Sequence, residues 1–303
     1  MFKRNYLFIL IIILTTIIGC QRNEKINFEK LTPHKTFLYV DHRDDTTFTI
    51  KRANYDVNVY LLANKNFFTR GTVILLHGWD LSPLSWCDQT SFCNELLSMG
   101  YHVIIPDLGK SVYASQYYHE TIKTMAMYPQ LPFVLDTLLP FLQDSIHILN
   151  NSHNNYLIGY SMGARGALAI AENTENIFSR LVLISGEYDQ TLMPEDNILT
   201  MYFGSYQKFP ERWEGKDNLL RNIDKLNIPV LILHGKNDDV ISALQSDTLA
   251  KVLENKNKFY IKTIYNNYGH DFDFVQKTVK DVNVFLNKYF LHKGCEQFST
   301  LLF

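Results

Sequence analysis

Residues 155–168, Asn-Tyr-Leu-Ile-Gly-Tyr-Ser-Met-Gly-Ala-Arg-Gly-Ala-Leu, constrain the fold of this chain more than any other stretch. Tyr156 to Ile158 is a short apolar strand, Ser161 sits between Gly159 and Gly163, and Ala164 to Leu168 opens a small-residue helix. A turn that passes from strand directly into helix cramps the backbone at the serine. The flanking positions then have no room for a Cβ, and glycine takes them. The same turn pushes Ser161 outward from the sheet. It also leaves the Met162 amide unpaired at the positive end of a helix, where it can donate to a developing oxyanion. A serine in an ordinary strand-to-helix turn is the competing reading, and the rest of the chain separates the two.

Thr46–Ile50 and Val57–Leu62 are β-branched or alternating and close enough in sequence to pair as an antiparallel hairpin. The pattern then changes. Thr72–Leu76 is continuously apolar, as a strand buried on both faces of a parallel sheet should be; His102–Pro106 and Arg180–Ser185 read as further buried strands, and Pro229–Leu233 and Phe259–Ile264 as the strands that follow the insertion. Helical segments alternate with them: Ser85 to Met99, stopped by Gly100; Leu131 to Leu149; the elbow helix, ending near Asn173; Ser242 to Leu253; and Phe272 to Tyr289. Leu108 to Pro129 lacks strong periodicity and reads as a loop plus a short helix. Glu187 to Leu226 interrupts the alternation with an aromatic-rich insertion carrying Tyr188, Tyr202, Phe203, Tyr206 and Trp213. At a strand's C-terminal end such a segment caps a pocket or packs as a surface subdomain. The prediction is one α/β domain over 46–290. It has a mostly parallel eight-stranded sheet with helices on both faces and a cap insertion at 187–226 after the sixth strand. A chain of 303 residues with 46% hydrophobic residues suffices for that core.

A serine hydroxyl is a poor nucleophile until a base removes its proton, and the base needs a carboxylate to fix its tautomer and stabilise its charged form. In open parallel sheets, sites form at the carboxyl ends of strands. After Val230–Leu233 comes His234-Gly235-Lys236-Asn237-Asp238-Asp239, with two adjacent aspartates. After the last strand comes Tyr265-Asn266-Asn267-Tyr268-Gly269-His270. The order is Ser161, an aspartate, then His270.

In this order and context the chain resembles the α/β-hydrolase superfamily from about Thr46 to Tyr289. In that superfamily the acid stands in a pattern like His-Gly-x-x-Asp, which selects Asp238 over Asp239. The family's His-Gly after the first parallel strand corresponds to His77-Gly78, which makes the Trp79 amide the second oxyanion donor beside that of Met162. Ala164 stands where a second glycine is common in the family. The resemblance implies an acyl-enzyme on Ser161, with His270 as base and Asp238 orienting it, and no cofactor or metal. No Cys/His spacing resembles a metal site either. Tyr160, Glu187 and Tyr188 are candidates for substrate contact. His77 and His234, each before a glycine in a tight turn, read as structural, and Asp107 as ordering its own turn. Arg165 on the elbow helix either binds an acidic substrate group or packs and pairs locally.

At the N-terminus, Lys3 and Arg4 precede an apolar run, Tyr6 to Ile18, too short to span a bilayer comfortably but suited to a secretory signal. It ends in Ile17-Ile18-Gly19-Cys20, which resembles the lipobox of bacterial lipoproteins. That implies removal of residues 1–19, acylation of Cys20, a tether over 20–45, and a domain held on the cell envelope facing the periplasm or exterior. Cys87, Cys93 and Cys295 remain. If Ser85 to Met99 is one helix, Cys87 and Cys93 lie on poorly matched faces, so free or buried thiols are expected. A net charge of −2, with no basic run interleaved with aromatics, gives no footprint for nucleic acid. The expected partners are a small acyl substrate and, through Cys20, a membrane. Esterase is the first reading. A prolyl-peptidase-like serine peptidase and a non-enzymatic binding protein on the same scaffold are the rivals.

Overall fold

A computed structural model describes residues 44–287, except 67, 120, 122 and 151–153. The signal-like segment, Cys20, the tether as far as residue 43, and Cys295 lie outside the described residues. Eight strands form a single sheet in the order β1-β2-β4-β3-β5-β6-β7-β8. In sequence order they are β1 Thr46–Ile50, β2 Val57–Leu62, β3 Gly71–Leu76, β4 Tyr101–Pro106, β5 Tyr156–Tyr160, β6 Arg180–Ile184, β7 Val230–Gly235 and β8 Tyr260–Tyr265. β1 and β2 pair antiparallel, β2 joins β4 antiparallel, and all later pairs are parallel, with Leu76 opposite Gly159 and Leu233 opposite Thr263.

Every residue of β3 through β7 is buried, so both faces of the central sheet are covered. That is why these strands read as unbroken apolar runs. β2 alternates buried and half-buried residues, and β1 is an exposed edge, as their mixed sequences require. Each fully buried Leu, Val or Ile side chain contributes about 1.5–3 kcal/mol, so the five central strands form the spine of a core that the helices and the insertion complete.

The helices are α1 Ser85–Asp88, α2 Phe92–Ser98, α3 Lys123–Ala126, α4 131–145, α5 Met162–Glu172, α6 Asn197–Phe203, α7 Pro210–Glu214, α8 Leu244–Asn255 and α9 Phe272–Asn287. Two of the expected helices differ from the pattern. Ser85 to Met99 is not one helix but two, because Thr90 uses its hydroxyl to cap the break: it donates to the Trp86 carbonyl and accepts from the Phe92 amide. The break turns the two cysteines toward each other. Cys87 and Cys93 form a disulfide across Cα atoms 5.1 Å apart, which corrects the expectation of free thiols. Leu131 to Leu149 ends as helix at Ser145 and contains two π-helical turns, Val134–Leu138 and Phe141–Ser145. They flank Pro140, which has no N–H to give the preceding turn.

The insertion after β6 folds as short pieces rather than long helices. Asp189, Asp196 and Asn218 each accept a backbone N–H at the start of a helical turn. Tyr188, Tyr202, Phe203 and Trp213 are fully buried, and their rings belong to the same apolar cluster as the sheet. The Trp213 indole donates to the Gly204 carbonyl at 2.9 Å. The described residues fall in one compact unit, the insertion included.

Candidate active site

The elbow is built as its glycines demand. Ser161 holds φ 57° and ψ −126°, a backbone strained for any side chain. A Cβ on Gly159 would sit 2.1 Å from the Gly163 carbonyl oxygen, and one on Gly163 would sit 2.1 Å from that of Leu76. Helix α5 therefore backs directly onto the end of β3, and larger residues at either position would push the serine out of place.

The loop after β3 lies against the serine. A Cβ on Gly78 would be 3.1 Å from Ser161 Cβ. His77 fixes this loop from below: its Nδ1–H donates to the Gly78 carbonyl at 2.7 Å and its Nε2 accepts from the Leu108 amide at 3.0 Å. Burial lowers the His77 pKa, which keeps the ring neutral, as one donor and one acceptor require. This is the structural role expected of it. The Trp79 amide follows Gly78, and the Met162 amide is the first of α5. Neither has an acceptor among the described residues.

His270 stands in the turn between β8 and α9. Its Nε2 lies 2.9 Å from Ser161 Oγ and its Nδ1 lies 2.7 Å from Asp238 Oδ2. The carboxylate faces Nδ1, so the proton sits there and the Nε2 lone pair faces the serine hydroxyl. The acid loop after β7 and the histidine turn are laced together, with the Asn237 amide donating to the Tyr268 carbonyl at 2.9 Å. Gly235 has no space for a Cβ, which would sit 2.4 Å from that same carbonyl oxygen. Asp271 Oδ1 caps α9 through the Phe274 amide at 2.8 Å, fixing the histidine's exit.

Asp238 rather than Asp239 meets the imidazole. Asp238 is buried and Asp239 is exposed. Oδ1 accepts from the Val240 and Ile241 amides at 3.1 and 2.8 Å. Burial alone would raise the pKa of this carboxyl, but the hydrogen bonds from His234 and His270, with help from the Ile241 amide, hold it well below the usual carboxylate range. It is an anion wherever the protein is folded at ordinary pH.

Three residues expected at the substrate surface are placed elsewhere. Tyr160 is 2% exposed, and its ring stacks on the His270 imidazole with centroids 5.0 Å apart, so it supports the base and offers almost no surface to a ligand. Glu187 is buried in an ion pair, its Oε2 accepting from Arg165 Nη1 at 2.8 Å. Tyr188 is wholly buried under the insertion, over Gly186. Both face the core because the insertion turns inward immediately after β6.

Arg165 resolves in favour of local pairing. It is fully buried, with Nε donating to the Val112 carbonyl at 3.0 Å and Nη2 to the Asp217 carbonyl at 2.6 Å, besides Glu187 and Gln190. One side chain thus joins the elbow helix, the loop after β4 and the insertion. The Ser115 amide and the Tyr118 hydroxyl add to that seam by donating to the Asp217 carboxylate at 2.6 and 2.7 Å. Among the described residues no group of His, Cys, Asp and Glu could hold a metal ion.

The family model described as the dienelactone hydrolase family matches residues 57–284. No match to a protein of curated function was found by sequence. Among solved structures the fold is similar to FphF, a fluorophosphonate-binding serine hydrolase of Staphylococcus aureus, with a TM-score of 0.64 and 16% identity over 81% of this chain and 99% of that one. It is similar to an S-formylglutathione hydrolase from Agrobacterium tumefaciens, with a TM-score of 0.62 and 15% identity over 80% and 94% of the two chains. It also resembles an acylaminoacyl peptidase from Pyrococcus horikoshii, with a TM-score of 0.62 and 14% identity over 88% of this chain but 44% of the peptidase.

Proposed function

The chain belongs to the dienelactone hydrolase family, and from that premise we propose that it hydrolyses carboxylic esters of small molecules through an acyl-enzyme on Ser161. The observation that carries this reading is the unbroken line of hydrogen bonds from Ser161 Oγ through His270 to Asp238, 2.9 and 2.7 Å long, at the C-terminal edge of the sheet.

His270 Nε2 takes the hydroxyl proton as Ser161 Oγ attacks the ester carbonyl, and Asp238 stabilises the imidazolium that forms. The carbonyl oxygen becomes an oxyanion, received by the Met162 and Trp79 amides. Collapse of the tetrahedral intermediate breaks the ester C–O bond, and the imidazolium gives its proton to the departing alcohol. Water then attacks the acyl-enzyme with His270 again as base. The carboxylic acid leaves and Ser161 regains its proton. Nothing in this sequence calls on a cofactor.

Coverage favours esters over peptides. FphF and the S-formylglutathione hydrolase are matched over nearly their whole length, and the peptidase over less than half. Short p-nitrophenyl esters compared with aminoacyl-arylamides test the choice, together with fluorophosphonate labelling mapped to Ser161. Arylamide turnover far above ester turnover would overturn the ester assignment, and labelling elsewhere would overturn the nucleophile.

The same reading places the enzyme on a bacterial cell envelope, anchored through acylated Cys20. Lys3 and Arg4, the apolar run and Gly19-Cys20 support it. So does the Cys87–Cys93 disulfide, a bond that persists in oxidising compartments.

A further inference from the structure

Asp238 carries a second imidazole. His234, near the end of β7, is fully buried, and its Nε2 lies 2.8 Å from the Ile241 carbonyl oxygen and 3.2 Å from Asp238 Oδ2. Both of those atoms are acceptors only, the carboxyl being ionised, so Nε2 must bear hydrogen and donate to them. On the other side of the ring, Nδ1 lies 2.7 Å from the hydroxyl of buried Ser246, on α8. That hydroxyl can donate to Nδ1 and so favour the proton on Nε2.

The Asp238 carboxylate is then held at both oxygens. Oδ1 takes the amides of Val240 and Ile241, and Oδ2 takes one N–H from His270 and one from His234. The His234 N–H is shared with the Ile241 carbonyl, and together with the two amides and His270 it leaves the carboxyl little room to rotate. A histidine serving only to tie the turn to α8 would be satisfied by Ile241 and Ser246. The contact with Oδ2 is additional, and it falls on the very oxygen that His270 uses.

We propose that His234 is a positioning residue of the hydrolytic triad: its Nε2–H holds Asp238 Oδ2 where it meets His270 Nδ1. This rests on the reading of Ser161, His270 and Asp238 as that triad. Losing the His234 donor frees the carboxylate to swing between oxygens and weakens its grip on the His270 tautomer. The damage falls on the chemical step, since His234 touches no part of the substrate.

The test compares His234→Leu with His234→Gln in the full-length protein, using a p-nitrophenyl ester. The glutamine amide places an N–H near the position of Nε2. The leucine variant should lose about tenfold or more in kcat at unchanged KM, and the glutamine variant should recover most of that loss. The far-downfield proton resonance of a histidine N–H bonded to a carboxylate should shift or broaden in the leucine variant and return with glutamine. Equal kcat in the two variants, or a leucine variant as active as the parent, would overturn the proposal. If His234→Leu does not fold, Ser246→Ala carries the test, because it removes the hydroxyl that fixes the ring's proton. Unchanged kcat and an unchanged resonance there count against His234. Ser161→Ala separates the two readings. Turnover close to the parent's in that variant sinks the triad itself, whereas a Ser161→Ala variant that has lost nearly all turnover, beside a fully active His234→Leu, overturns only the role of His234.

Discussion

Ser161 Oγ and His270 Nε2 lie 2.9 Å apart although 109 residues separate them in sequence. The sheet makes that contact. β5, β7 and β8 run parallel, so the residues that leave their C-terminal ends arrive on one rim. Each is then fixed locally, the serine by the cramped elbow, the aspartate by two turn amides, and the histidine by the acid loop and the Tyr160 ring.

Substitutions at this rim should act as a unit. Ser161→Ala and His270→Ala are each expected to lower kcat by about 10⁴-fold or more while the melting temperature stays close to that of the parent. Asp238→Asn should approach the same loss, because an amide facing Nδ1 favours the wrong tautomer. Asp239→Asn, in an exposed side chain beside it, should change kcat by less than about threefold. Steady-state kinetics on one ester decides this, and comparable losses from the two aspartate variants would remove the acid assignment.

The strands and the elbow were legible in the sequence because they obey local rules: unbroken apolar runs for buried parallel strands, and glycine where a Cβ has no room. The strand ends shift by a residue or two, as they do when hydrogen bonding rather than hydropathy sets the boundary. What stayed hidden depends on partners distant in sequence. Thr90 breaks a helix by spending its hydroxyl on the backbone, and the cysteines meet only because of that break. Glu187 has the polarity of a pocket residue, but Arg165, 22 positions earlier, reaches it first. The second role of His234 needed the arrival of His270 at the same carboxylate. The His-x-x-x-Asp spacing in a tight turn was the available hint.

The disulfide closes a short loop, with its cysteines six positions apart. Chain-entropy arithmetic gives about 2 kcal/mol for such a loop. Replacing both cysteines with serine should lower the melting temperature by several degrees, at about 2–4 °C per kcal/mol for a domain of this size. The parent treated with reductant should move toward the same value. Calorimetry measures the shift, and a non-reduced peptide map shows the Cys87–Cys93 link. A map that recovers both as free thiols contradicts the pairing.

Membrane attachment should depend on one sulfur. Cys20→Ser removes the proposed acceptor of acyl chains, so on that proposal the protein should leave the membrane fraction while its specific activity on a soluble ester stays within about twofold. Fractionation with fatty-acid labelling reads both effects. A Cys20→Ser protein that still sediments with membranes and still incorporates label places the anchor elsewhere.

Glu172, at the end of α5, is buried, and neither carboxyl oxygen has a hydrogen-bond partner among the described residues. Burial pushes its pKa up to about 9, with Arg165 and Lys225 pulling the other way. The folded state therefore binds this proton more tightly than the unfolded chain does. The stability it brings is complete below the unfolded carboxyl range and is lost as pH rises through about 9. Glu172→Gln, neutral at every pH, should escape that loss. Its melting temperature should match the parent near pH 4, exceed it increasingly as pH rises, and hold a constant margin above about pH 9. Parallel melting curves across the whole range would mean that Glu172 ionises in place without cost.

Arg165 and Glu187 form an ion pair with both side chains at 1% exposure or less. Two charges taken that far from water repay their desolvation only through one another and their remaining hydrogen bonds. Among the described residues Glu187 Oε1 has no hydrogen-bond partner, so the carboxylate leans on Arg165. Arg165→Met should cost about 3–5 kcal/mol, because it strands a buried carboxylate and releases the Val112 and Asp217 carbonyls together. Adding Glu187→Leu should recover part of that cost, since the second change removes the stranded charge. Denaturant titrations of the two single variants and the double variant give the coupling. Strict additivity would show that each residue is held by its other neighbours. A large coupling would identify this pair as the bolt between the elbow helix and the insertion. In that case loosening it should also slow ester turnover, because the same helix carries Ser161 at its start.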